Sequence, residues 1–528
     1  MRMARLVTWV LIGIGAIASV LAFLALARGG IGWDAPVDAQ AVAQVRALPA
    51  GATLQEAYDS VFWTSEFYGL LVSQLADGAH SLITGSSDTL EPSLLATFRW
   101  QGGVTILLAA AGAAALGYAT GCALKSRMAG AFTWALTMTT PLFFGMSQVN
   151  FKDVPVAAGL SMLSAGLIMS RAGQSLPTRW IVGTALMSAG AFLTLGSRAG
   201  AWPLVGAIVV GALLVFALQD LRRHTPAATL PSLAGAAIAA VVSLTSLWLT
   251  NPFARINLPR WLYDSFSVMR DYPMDLTIRA GGQDFLTTAL PWWYIPGWLL
   301  AQLPVLTTVA LVWAFVAIAA SLLRAGWSVP RSDLVPLTPL FIQGVLLPAG
   351  IAATGAVLYD GLRHVLFMIP ALAGIAAVGV AALERGSWRR HGHAFALAAA
   401  LGLVVVGASA WASMRWMPYS YAFINPVAGS DEAQRNWEFD YWGVTAAEGV
   451  RRLQEAGLGA VGVEPTASTS DLVGGRWPDD AEAQAPDGYG LYVFRRWDAS
   501  IGACEPLFTI ERDGHILGEG ARCTRWTR

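Results

Sequence analysis

Apolar runs of roughly the ~20 residues that cross a bilayer recur along the whole chain, with short polar stretches between them. The first follows Met1-Arg2-Met3-Ala4-Arg5 and reaches about residue 27. Others fall near 102–122, 129–148, 154–170, 180–197, 202–218, 232–250, 303–323, 336–357, 365–384 and 394–412. The pattern predicts eleven membrane helices within residues 1–412 and two long polar insertions, 28–101 and 251–302. The first run is too long for the core of a secretion signal, and Leu26-Ala27-Arg28 is a poor cleavage site, so it reads as a retained span.

Beyond residue 412 the pattern changes. Thr445-Ala446-Ala447-Glu448 has the spacing of a capping box. It would open a helix through Val450 and Leu453 that Gly457 can close. Leu458–Val463, Gly488–Phe494 and Pro506–Ile510 have the composition of short strands around a loop near 465–487. Residues 413–528 therefore read as a tail with a small α/β domain. In the first insertion, Leu54–Tyr58 and the aromatic stretch from Val61 to Leu71 suggest helices lying along the interface. Pro291-Trp292-Trp293-Tyr294, near the end of the second, has the look of an aromatic belt.

Charge orients the bundle. Lys125 and Arg127, Arg171 and Arg179, Arg222 and Arg223, Arg324 and Arg331, and Arg385, Arg389 and Arg390 all follow even-numbered spans, on the side of Arg2 and Arg5. Basic loops mark the cytoplasm. The N-terminus is thus expected inside, and the tail outside an inner (plasma) membrane. The 528-residue chain is 55% hydrophobic and 13% charged, with zero formal net charge. That suits a polytopic membrane protein and offers no basic surface to nucleic acid. The six histidines are scattered and form no metal-ligand cluster. With the tail outside, Cys504 and Cys523 can form a disulfide; two buried thiols are the other reading.

This topology brings distant polar stretches to one face: 28–101, Gln148–Asp153, Gly196–Gly200, 251–302, 358–364 and the tail. Asp34, just outside the first span, is a candidate general base for a hydroxyl, with Asp38 as a spare and a solvated loop acid as the plain alternative. Lys152 and Asp153 stand at the start of a helix, where Asp153 can also serve simply to favour the helix dipole. Arg198, between small residues, and Arg99 are either interface anchors or phosphate contacts. Tyr359-Asp360-Gly361-Leu362-Arg363-His364 carries far more chemistry than a turn between two spans needs. It either holds an anion or anchors the interface.

Four of these stretches resemble membrane glycosyltransferases related to family 39, the protein mannosyltransferase clan with the GT-C fold. Asn150-Phe151-Lys152-Asp153-Val154-Pro155 resembles their Asn-Pro-Lys-Asp-x-Pro signature. Tyr359 to Phe367 resembles Tyr-Asp-Gly-x-Arg-His-x-x-Phe, Tyr421 to Gly429 resembles Tyr-x-Tyr-Phe-Asn…Gly through Asn425, and Asp440-Tyr441-Trp442-Gly443 resembles Asp-Tyr-Trp-Gly. Departures are the missing Glu after Asp34, Phe151 for Pro, Arg99-Trp100 for Arg-His, and Ile424 before Asn425.

The resemblance implies a polytopic GT-C-like helical bundle. It also implies inverting transfer of a sugar from a polyprenyl-phosphate donor to a glycan, glycolipid or protein acceptor outside the cytoplasm. Asp34 would be the base, and Lys152, Arg363, His364 and Arg198 would hold the donor phosphate. Asp153 would assist, and Asp360, Tyr359, Asn150 and Asn425 would orient their neighbours. Some members of the fold use a divalent cation, for which Asp34 and Asp153 are the acids in reach. A secondary transporter of a small anionic or glycan substrate is the rival reading. It predicts ionisable residues near mid-bilayer and internal repeats, and the charges here gather at span ends. A scaffold whose tail binds a partner is a third reading.

Overall fold

The computed structural model describes all residues except 1, 33, 62–64, 92–94, 173–176, 325–333, 386–392, 429–432, 465–472, 474, 477–487, 495–500, 503 and 525–528. Helix α1 (Arg2–Arg28) is followed by an insertion with α2 (Ala35–Arg46), α3 (Leu54–Asp59) and α4 (Leu71–Thr84). The bundle continues through α5 (Leu95–Leu124), α6 (Arg127–Thr139), α7 (Pro141–Val149), α8 (Asp153–Ala172), α9 (Pro177–Ser197), α10 (Trp202–Arg222) and α11 (Leu230–Thr250). A second insertion holds α12 (Pro252–Arg270), the hairpin β1 (Thr277–Ala280) and β2 (Gln283–Leu286), and α13 (Tyr294–Gln302). Then come α14 (Val305–Arg324), α15 (Thr338–Phe341), α16 (Leu347–Ala353), α17 (Met368–Arg385) and α18 (His393–Trp416).

Among the described residues nine helices are long and apolar enough to cross a membrane. The chain is a multi-pass helical protein. Of the eleven expected spans, two have another form. The span expected at 129–148 is broken into α6 and α7. Pro141 disfavours a helical conformation in the residue before it, and Thr140 takes extended angles, φ −66° and ψ 121°. The span that α17 supplies has an apolar part running only over Met368–Glu384. The helix expected to reach residue 357 stops at Ala353, so the polar segment between α16 and α17 is longer than the sequence suggested.

Glycines set the closest approach in the bundle. Gly159 and Gly166 of α8 face Gly190 and Gly183 of α9. A Cβ on Gly159 would stand 2.7 Å from the Gly190 carbonyl, and one on Gly166 2.4 Å from that of Gly183. Small residues one heptad apart let two apolar helices pack backbone to backbone.

Past α18 the chain forms α19 (Ala433–Asn436), α20 (Ala446–Glu455), β3 (Val461–Glu464), β4 (Tyr489–Phe494), β5 (Glu505–Arg512) and β6 (His515–Cys523). The sheet order is β3-β4-β6-β5, with β3 parallel to β4 and the other pairs antiparallel. Cys504 and Cys523 are disulfide-bonded. Strand β6 is an element the sequence pattern did not predict, and most of the expected loop 465–487 lies outside the described residues.

The capping box expected at Thr445–Glu448 does not form. The Thr445 hydroxyl donates to Asp440, and Glu448 accepts instead from Tyr419 at 2.6 Å and Arg452 at 2.5 Å. The Tyr419 contact ties α20 to the segment just past the end of α18. A capping box does form at α3, between Thr53 and Glu56.

Candidate active site

The buried turn 358–364 lies at the end of the bundle that carries both insertions. Two successive residues have left-handed backbone, Asp360 with φ +57° and Gly361 with φ +65°. Glycine takes that region freely and Asp is among the few other residues that tolerate it. The double reversal folds the polar tip inward rather than out to a lipid surface. Tyr359, Asp360 and Arg363 are each at most 4% exposed.

Arg363 is the hub. Its guanidinium lies 3.2 Å from Asp34 and 3.4 Å from Asp360. It lies over the rings of Tyr359, 4.4 Å away, and Trp442, 4.5 Å away. Such cation–π contacts favour the guanidinium's position without neutralising it. Trp442 also meets the turn that presents Asp34, because a Cβ on Gly32 would overlap its Nε1 at 1.6 Å. One indole therefore sets the spacing between a carboxylate near the N-terminus and a cation more than 300 residues later.

The second cation is Lys152. Its ammonium reaches Asp34 at 3.2 Å and Asp38 at 2.8 Å, and lies 4.8 Å from the Tyr68 ring. The turn is built by Asn150, whose Oδ1 accepts from the Lys152 and Asp153 amides at 3.2 and 2.8 Å and whose Nδ2 donates to Asp153 at 2.9 Å. Asp153 also pairs with Arg198 at 2.8 Å. Arg198 in turn lies 5.2 Å from the Tyr68 ring, which Lys152 also approaches.

The electrostatics follow from this crowding. Burial pushes the Asp34 carboxyl up, but Lys152 and Arg363 more than offset it and hold it at about 2. Burial dominates at Asp38, which stays above its ordinary value despite Lys152. Burial works against the Lys152 ammonium, yet Asp34 and Asp38 keep it above its usual range. For His364, burial and then the neighbouring Arg363, Arg198 and Lys152 push the imidazole well below its usual value, so it is neutral. Its ring packs 4.6 Å from Tyr359, and its Nδ1 makes no hydrogen bond among the described residues.

Asp34, Lys152, Asp153, Arg198, Asp360, Arg363, Tyr359 and Asn150 thus lie together in the fold. No family model and no curated protein matches the chain. Solved structures similar to it include ArnT from Cupriavidus metallidurans bound to undecaprenyl phosphate. Identity there is 14%, covering 97% of this chain and 98% of that one, with a TM-score of 0.49. Another is the oligosaccharyltransferase AglB from Archaeoglobus fulgidus in complex with an inhibitory peptide and a dolichol-phosphate. Here identity is 12% over 90% of this chain and 61% of that one, with a TM-score of 0.44.

Asn425 sits apart from the charged cluster. Its Nδ2 donates to the carbonyls of Leu300 at 2.5 Å and Leu303 at 2.8 Å, and so closes the C-terminal end of α13. Arg99 is exposed. With Leu26, Gly29, Ile31, Phe98 and Phe151 it lines a small crevice beside the site. Among the described residues no group of three or more His, Cys, Asp or Glu side chains is placed to hold a metal ion. Asp34 and Asp153, the acids expected in reach of one, each pair with cations of the protein. Sequence reasoning missed Tyr68, Tyr272 (stacked 6.4 Å from Tyr359) and the role of Trp442. Only Trp442 carried a signal, through the stretch Asp440–Gly443.

Proposed function

We propose that the chain is an inverting glycosyltransferase. It moves a sugar from a polyprenyl-phosphate donor to a hydroxyl acceptor on the non-cytoplasmic face of the membrane. The observation that carries the reading is the meeting of Asp34 with Lys152 and Arg363, three side chains from separate parts of the chain, beneath a partly open surface. Asp34 is 21% exposed, whereas Arg363 is 2% exposed.

The chemistry asks for little more. Asp34 takes the proton from the acceptor hydroxyl. The acceptor oxygen bonds to the anomeric carbon from the face opposite the phosphate. The carbon–oxygen bond to phosphate breaks, and its electron pair leaves on the phosphate oxygen. That oxygen departs as a stable anion, so no general acid is required. Lys152 and Arg363, with Arg198 behind them, stabilise the charge that grows there, and neutral His364 supplies an N–H rather than a charge. Asp153 and Asp360 hold Arg198 and Arg363, and Asn150 holds the Lys152 turn.

Residues 1–412 form the transferase module in this reading, and 413–528 an extracytoplasmic domain that lends Trp442 to the site. The Cys504–Cys523 disulfide supports the orientation, since disulfides persist outside the reducing cytoplasm. The motif resemblance supports the polyprenyl donor. Mass spectrometry of envelope glycans tests the reading. A strain lacking the protein should lose a sugar modification that the wild-type chain restores and Asp34→Asn does not. An unchanged glycan profile in the null strain would defeat the proposal.

A further inference from the structure

The charges around Asp34 do not balance. Four carboxylates (Asp34, Asp38, Asp153 and Asp360) interlock with three cations (Lys152, Arg198 and Arg363). Neutral His364 adds nothing, so the fully ionised cluster holds one negative charge in excess. A phosphate group cannot simply add itself to such a site, because each cation already has a carboxylate on it. Something negative must step aside or take up a proton.

The four carboxylates are not equally able to do so. Asp153 and Asp360 are 6% and 0% exposed, and each is anchored within its own turn, through Asn150 and through the Asp360–Arg363 pair. Asp34 and Asp38 are 21% and 26% exposed. They stand at the start of the short helix α2, and Asp34 makes no side-chain cap bond there. The side-chain partners of Asp34 are Lys152 and Arg363, at one long contact of 3.2 Å each.

We infer that Asp34 and Asp38 are an internal occupant of the phosphate site, competing with the donor for Lys152 and Arg363 until the donor displaces them. The inference rests on the donor reading above and adds a sequence to it. In the resting site Asp34 is a poor base, tied down by two cations. When the phosphate takes those cations, Asp34 loses both partners and becomes basic beside the newly bound sugar. The base is thereby armed by the donor, and Asp34 has two roles with opposite consequences for binding and for turnover.

That opposition gives a sharp test. Binding of undecaprenyl phosphate to the full-length protein in detergent micelles is measured for wild type, Asp34→Asn, Asp38→Asn and Arg363→Ala. Removal of a competing carboxylate should tighten binding by about 3- to 10-fold in Asp34→Asn, with a similar gain in Asp38→Asn, on the scale where tenfold is about 1.4 kcal/mol. Arg363→Ala should weaken binding by about tenfold or more. Asp38 is a partly exposed side chain whose recorded ion pair is with Lys152, so its variant keeps the test open if Asp34→Asn misfolds. Unchanged or weaker binding in both Asp variants would overturn the competition while leaving the donor reading intact. Binding by neither wild type nor any variant would remove the donor reading itself.

Discussion

Two buried ion-pair clusters sit at opposite ends of the bundle, and they are built on different plans. At the end with the basic loops, Arg171 of α8 grips Asp220 of α10 with both terminal nitrogens, at 2.8 and 2.5 Å, and also reaches Gln219 at 2.5 Å. Thr229, just before α11, donates to the same carboxylate. The pair is 6% and 2% exposed. One cation meets one carboxylate, the geometry is bidentate, and three helix ends are clipped together. At the other end the contacts to Asp34 are single and long, two carboxylates share one ammonium, and the acids lie partly open. The first arrangement is saturated and belongs to stability. The second is shared and unsaturated, which is what a site needs if its charges are to change partners.

The largest effect that would separate the two ends is on turnover. Asp34→Asn should lower sugar transfer by about 10²- to 10⁴-fold, the range of a positioned general base, while stability falls by no more than about 1–2 kcal/mol. Near-normal transfer by this variant would move the base elsewhere. Arg171→Ala should show the converse. It strands a buried carboxylate, so stability should fall by about 3–5 kcal/mol, while the protein that remains folded keeps its activity per molecule. Arg171→Met combined with Asp220→Leu should recover most of that loss, because a well-packed apolar pair can replace a buried salt bridge. Thermal unfolding in detergent distinguishes these outcomes. A double variant no better than Arg171→Ala would assign this end more than a structural role.

A smaller effect tests how the site is spaced. Gly32 is pressed against the Trp442 indole, which is 2% exposed and cannot swing aside cheaply. Gly32→Ala must therefore shift either the Asp34 turn or the ring that holds Arg363. Overpacking of this kind costs about 1–3 kcal/mol, and a misplacement near 1 Å can cost about 100-fold in rate. Transfer should fall while the Arg171 end is unaffected. Wild-type activity in Gly32→Ala would mean that Trp442 does not set the spacing.

How much of this was legible beforehand follows from where each constraint lies. The alternation of apolar runs and basic loops is imposed by the bilayer, so nine of the eleven spans could be read as continuous helices, while a break at Thr140 and the end of α16 could not. The stretches around Asp34, Lys152 and Arg363 stood out because a turn between membrane helices has no use for such groups. The partners did not stand out. Nothing near Tyr68 announces that its ring will face Lys152 and Arg198, and the Asp153–Arg198 pair is a product of packing. The Thr445–Glu448 box failed because Asp440, five residues earlier, takes the Thr445 hydroxyl. Strand β6 was missed for a related reason. It contains Gly518 and Gly520, which weaken a strand signal. The sheet requires them, because Tyr492 and Phe508 lie where their Cβ atoms would be, at 1.9 and 2.3 Å. Among the described residues the turn Ile342–Leu346 has π-helical hydrogen bonding. Gln343 there bonds Ser164 and the Phe367 carbonyl, contacts that depend on chain far away in sequence.

The smallest effect is on acid stability, and it sharpens the contrast between the two acids that share Lys152. Asp34 is held at about 2 against an ordinary 3.8. Its lowered value means that its pairing contributes stability above about pH 4, and that this is lost as the pH falls toward 2. The size is of order 1–2 kcal/mol, since one pKa unit is about 1.4 kcal/mol and Asp34 is partly exposed. Asp38 has the opposite sign. Burial raises its carboxyl, so its contribution is fully present below the ordinary value and is lost as the pH rises through the raised one. The stability of wild type minus Asp34→Asn should therefore shrink on acidification from pH 5 to 2, and that of wild type minus Asp38→Asn should grow. Unfolding followed by intrinsic fluorescence in detergent at several pH values reads both differences. Two curves sloping the same way would show that the acids respond to acid as one rigid group. Opposite slopes would show the Lys152 ammonium held between two unequal carboxylates, the asymmetry a phosphate would exploit on entering.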